Sequence, residues 1–174
     1  MSRSDTGPPP RPVPTASRHE SRERALSLLY EAEAKGITPS ALLEELPVPA
    51  HPFAVELVRG VEEHGAGIDE LIARFAIDWK LERMAVVDRL VLRIAAFELL
   101  ERPDIPVGAT ISEAVELAKT YSTEESGRFV NGVLASVAAQ VRDPVLASDS
   151  DREAGPERPA RTDEEPVWPN ERGC

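Results

Sequence analysis

Apolar residues along the middle of the chain recur at intervals of three and four, and no stretch alternates over strand length, so the pattern predicts an all-helical protein. A first helix is expected over about residues 18–35, with Ala25, Leu26, Leu28, Leu29 and Ala32 inward and Gly36 as its stop. Thr38-Pro39 supplies an N-cap followed by proline at the first helical position and opens a short helix to about Leu46. Pro52 opens a third, carrying Phe53, Val55, Leu57, Val58 and Val61 and ending near Gly65. A fourth is expected over about residues 68–77, with Ile68, Leu71, Ile72 and Phe75 on one face. The fifth, about residues 85–101, is apolar around nearly its whole circumference and therefore reads as a central helix with partners on several sides. After the stiff turn Arg102-Pro103-Asp104-Ile105-Pro106, a sixth helix covers about residues 109–121. Ser122-x-x-Glu125 fits a capping box opening the seventh, through about Arg142. Gly132 inside that last helix costs about 1 kcal/mol against alanine unless a close helix approach uses it.

Proline usage divides the chain. Of its 16 prolines, five lie in residues 1–17 and five in 143–174, against six between, so both ends read as disordered tails around one domain of residues 18–142. The only cysteine is Cys174, which excludes a disulfide framework and a cysteine-rich zinc site. No apolar run is long enough to span a bilayer and the start has no signal-peptide core, so a soluble, cytoplasmic protein is expected.

Charge narrows the function. The first 17 residues carry +1, residues 18–142 carry −7 and the last 32 carry −5, for a total of −11. Non-specific coating of nucleic acid calls for a basic protein, so only a local basic patch is open to this chain. Enzyme signatures are wanting. His19, His51 and His64 are scattered, no phosphate-binding glycine loop or nucleophile elbow occurs, and neighbouring acid pairs point apart on a helix. No catalytic residue, metal or cofactor is expected.

Three sets of residues stand out. Arg18, Arg22 and Arg24 crowd the start of the first helix against its dipole. They either pair locally with Glu20, Glu23 or nearby acids, or form an exposed phosphate-contacting patch. Arg128-Phe129 opens the last helix, where the ring belongs to the core or stacks on a base beside its guanidinium. Asp88, Arg89, Arg93 and Glu98 interrupt the apolar central helix, either paired structurally or facing a partner protein.

Five blocks in order carry a resemblance. Arg22-Glu23-Arg24-Ala25-Leu26-Ser27-Leu28-Leu29-Tyr30, Val87-Asp88-Arg89 with Leu92-Arg93-Ile94-Ala95 and Phe97-Glu98-Leu99, Asp104-Ile105-Pro106, Ser112 through Lys119, and Arg128 through Leu134 resemble the transcription antitermination factor NusB family. The resemblance spans about residues 18–141 and implies a non-enzymatic fold of helices in two packed sub-bundles. It also implies binding of the boxA element of nascent ribosomal RNA, together with the small-subunit ribosomal protein NusE, in an RNA polymerase antitermination complex. By position it implies Arg18, Arg22, Arg24, Glu125, Arg128 and Phe129 on the RNA side, and Tyr30 and Asp88 on the ribosomal-protein side. The family often opens with a dense arginine run; here His19, Glu20 and Ser21 separate Arg18 from Arg22. The runner-up is the similar RNA-binding domain of ribosomal-RNA cytosine methyltransferases; a helical protein-interaction scaffold without RNA is the other alternative.

Overall fold

The computed structural model describes residues 17–76 and 81–142. The two tails expected from proline content, apart from Ser17, lie outside the described residues, as does Ile77 at the expected end of the fourth helix. The described residues form six α-helices: α1 (Arg18–Lys35), α2 (Pro39–Glu45), α3 (Pro52–Phe75), α4 (Val86–Glu101), α5 (Val107–Tyr121) and α6 (Glu124–Arg142), with a single 3-10 turn at Leu81–Arg83 before α4. No strand occurs among them.

Local chemistry accounts for the helix ends. Ser17 accepts from Glu20 N–H while the Glu20 carboxylate accepts from Ser17 N–H, a full capping box at the start of α1. Gly36, at φ 65°, closes α1 in the left-handed conformation that glycine adopts without steric cost. Thr38 caps α2 through a hydrogen bond from Ala41 N–H. His51 caps α3, its Nδ1 accepting from Phe53 N–H.

Three boundaries differ from the sequence expectation. The third and fourth expected helices are one, because α3 runs unbroken through Gly65, Ala66 and Gly67. A helical glycine costs about 1 kcal/mol, which is less than the burial of Ile68, Leu71 and Ile72 contributes once the same helix continues. The cap of α6 is Thr123, not Ser122. Thr123 Oγ1 accepts from Ser126 N–H, whereas Ser122 terminates α5. α5 itself begins at Val107, directly after Pro106.

Helices α1–α3 pack mutually and so do α4–α6, giving the two sub-bundles. α4 joins them, touching α1, α3, α5 and α6. Its Leu90, Val91, Leu92, Ile94, Ala95, Ala96, Phe97 and Leu99 are all buried, as an all-round apolar helix requires. Gly60 lets α3 approach α4: a Cβ there would lie 2.2 Å from two ring atoms of Phe97. Gly132, by contrast, has nothing within 4 Å of such a Cβ, so no close helix approach uses it.

Candidate nucleic-acid interface

The start of α1 does not present three equivalent arginines. Arg18 and Arg24 are exposed, whereas Arg22 is 4% exposed. This corrects the expectation that Arg22 lies in an exposed patch. Its guanidinium donates through Nε and Nη2 to both oxygens of Glu98 on α4, at 2.8 and 2.7 Å, and Glu98 is itself 1% exposed. Nη1 lies 3.6 Å from Glu113 on α5. The partners of Arg22 are thus distant in sequence. Glu20 serves the cap of α1, and Glu23 accepts from the Tyr121 hydroxyl at 2.9 Å.

Phe53, buried at the start of α3, gathers three guanidiniums: Arg18, Arg22 and Arg102 lie 5.7, 5.6 and 5.4 Å from its ring centroid. Arg102 is held by Glu56 and Asp104, which push its pKa further up, and Arg18 lies 3.6 Å from Asp104. Carboxylates therefore neutralise much of this cluster. The cation that faces solvent is Arg18, with the short-range screening expected of an exposed pair.

His19 Nδ1 lies 2.7 Å from a Glu113 carboxylate oxygen, and this hydrogen bond raises the His19 pKa above its ordinary 6.5. A raised folded pKa means the contact stabilises fully below pH 6.5 and is lost as pH rises through the folded value. The ring is 42% exposed, so the contribution is small. An NMR titration of His19 is expected to give a pKa above 6.5 that falls in Glu113→Gln; an unchanged value in that variant contradicts the assignment.

At the start of α6, Glu125 and Arg128 are exposed, and Phe129 is partly buried against the core. The polar residues of α4 are paired: Arg93 grips Asp69 with two bonds of 2.7 Å, Arg89 bridges to Glu33 on α1, Glu98 holds Arg22, and Asp88 accepts from Ser126 Oγ at 2.9 Å. Asp88 is 9% exposed and lies beside the first turn of α6, against a cavity that Glu125 and Phe129 also line. It therefore lies close to Glu125 and Phe129, whereas the family resemblance sets it on a different side from them. Tyr30, on α1, is 50% exposed.

Glu113, Phe53 and Ser126 help organise this surface without having stood out in the sequence, whereas Glu98 did, with structural pairing as one of its two readings. Glu98 was recognisable as a charge on an apolar helix; a serine in a first helical turn carries no signal. Among the described residues no cluster of His, Cys, Asp and Glu could hold a metal, and no helix is long and apolar enough to cross a membrane.

Comparison with known proteins gives this geometry a context. The sequence model of the NusB family matches residues 19–139. The transcription antitermination protein NusB of Thermobifida fusca (strain YX) is 49% identical over 122 residues, covering 68% of this chain and 86% of that protein. Solved NusB of T. maritima superposes with a TM-score of 0.68 at 37% identity, over 76% of this chain and 98% of that one. A crystal structure of antitermination factors NusB and NusE in complex with double-stranded RNA matches at TM-score 0.59 and 28% identity, over 71% of this chain and 96% of that one. Fold and relatives together define a helical, non-enzymatic transcription antitermination factor. The chain belongs to the NusB family.

Proposed function

We propose that this protein binds a boxA-type single-stranded segment of ribosomal RNA leader jointly with NusE, in the cytoplasm, and so enters the RNA polymerase antitermination complex on ribosomal RNA operons. The observation that carries this reading is the relative that holds both NusE and RNA on the same fold. The chain's own residues fit the role. Arg18, Arg24 and Arg128 are exposed cations suited to phosphates, Phe129 offers an aromatic for a base, and Glu125, one turn before it on α6, is an acceptor for base amino groups. Arg22 serves from within, holding α1 against α4 so that Arg18 and Arg24 keep their places. Tyr30 and Asp88 belong to the NusE side.

An acidic protein, −7 over residues 18–142, binds RNA weakly alone. NusE, contacting the same RNA, turns two weak contacts into one joint binding event. The Arg18→Ala/Arg128→Ala variant is expected to keep its helical circular dichroism while losing RNA affinity. Its salt slope should fall by roughly 0.7 for each phosphate contact removed. Wild-type RNA affinity in this variant at low salt contradicts the assignment.

A further inference from the structure

Three hydroxyls converge beneath the start of α4. Ser126 Oγ lies 3.0 Å from Ser122 Oγ and 3.0 Å from Thr123 Oγ1, and donates at 2.9 Å to Asp88 Oδ2. A hydroxyl has one proton to give. With that proton on Asp88, Ser122 and Thr123 donate to Ser126, and the chain of bonds runs from the α5–α6 junction into a single carboxylate oxygen on α4. Ser126 is 7% exposed, so the link is shielded from water.

The second oxygen, Asp88 Oδ1, is buried and has no hydrogen-bond partner among the described residues. A buried acceptor left unsatisfied is costly, and the cost is relieved by whatever ligand brings a donor. Asp88 lines a cavity of about 220 Å3 together with Met84, Thr123, Glu125, Ser126 and Phe129. Among the described residues two carboxylates and no cation line it, so it suits an N–H donor from a basic group and repels phosphate. Arg128 and Phe129 follow Ser126 by two and three residues in the same first turns of α6.

We propose that Asp88 is a positioning residue joining the two binding faces. One oxygen holds the first turn of α6 through Ser126, and the other accepts a donor from a basic NusE side chain, so that NusE binding sets Arg128 and Phe129 for RNA. The inference rests on the functional reading above. It adds to joint contact with RNA a second source of cooperativity, carried inside this chain by a named pair of side chains.

Ser126→Ala tests it. Affinity for labelled boxA-type RNA is measured with and without saturating NusE, and the ratio of the two is the gain. The gain is expected to fall at least about threefold in Ser126→Ala, and by linkage the tightening of NusE by RNA falls by the same factor. A merely structural role for Ser126 lowers the melting temperature but leaves the gain alone. Asp88→Asn provides a second variant, with an amide in place of the acceptor oxygen pair. Its gain is also reduced, and Asp88→Asn/Ser126→Ala loses less than the two single losses combined, as coupled residues do. An unchanged gain in Ser126→Ala, or fully additive losses, overturns the link while leaving joint RNA binding intact. Absence of RNA binding by the wild-type pair overturns the functional reading itself and this inference with it.

Discussion

Replacing Arg22 with alanine is expected to lower the stability of the fold by about 3–5 kcal/mol, because it strands a buried carboxylate. Glu98 is 1% exposed, and each of its carboxylate oxygens accepts from this one guanidinium, at 2.8 and 2.7 Å. For a domain of this size the fall in Tm is on the order of 15 °C or more. The paired replacement Arg22→Met/Glu98→Leu removes both charges at once and is expected to recover most of the loss, as apolar substitutes for buried ion pairs do. Thermal unfolding of the three proteins checks this. A loss below about 1 kcal/mol in Arg22→Ala would place the side chain at the surface, where ion pairs contribute that little. RNA measurements on Arg22→Ala are therefore read only beside its unfolding curve, which is why Arg18 and Arg128 carry the direct test of the cationic patch.

Gly60→Ala is the second large effect, and its sign goes against helix propensity. Alanine in mid-helix is favoured over glycine by about 1 kcal/mol. At position 60 the added Cβ would lie 2.2 Å from Phe97 Cε2 and Cζ, and Phe97 is 5% exposed between α3 and its neighbours. The ring must shift against the packed residues around it to admit the methyl group. Overpacking of a filled core costs about 1–3 kcal/mol, and an overlap this deep belongs at or above the upper end. Net destabilisation of roughly 2 kcal/mol is expected. Gly132→Ala provides the contrast: the site is exposed and empty, so the same substitution there is expected to stabilise by up to about 1 kcal/mol. Denaturant unfolding of both variants is decisive; stabilisation in Gly60→Ala contradicts the close approach of α3 to α4.

These two sites mark where sequence reading reaches and where it stops. The starts of α2 and α3 were legible because Thr38-Pro39 and Pro52 combine a cap or a helix-opening proline with an apolar stripe. The centrality of α4 was legible because its apolar residues leave no polar face. Gly65 and Gly67 misled because a glycine's local cost is visible in sequence, whereas the packing of Ile68 and Ile72 that outweighs it is not. The α6 cap slipped by one residue because Ser122 and Thr123 have the same capping chemistry, and what separates their roles is the Ser126 N–H, which reaches Thr123 Oγ1.

The site was legible by residue type more than by environment. Arg128 and Arg18 are exposed as a phosphate-contacting role needs. Arg22 reads the same in sequence, but its partner is 76 residues away on α4, and no local pattern shows that distance closed. Asp88 reads in sequence as either structurally paired or facing a partner protein, but the serine that holds it lies 38 residues on, which no local pattern shows.

Joint recognition of RNA by this chain and NusE is the central claim, and one titration tests it most directly. Labelled boxA-type RNA is titrated with this protein alone, with NusE alone, and with the two together at matched salt. The account predicts weak binding by this protein alone and at least about tenfold tighter binding by the pair than by either component, through the raised effective concentration of the second contact. Equal affinity with and without this protein in the presence of NusE contradicts it.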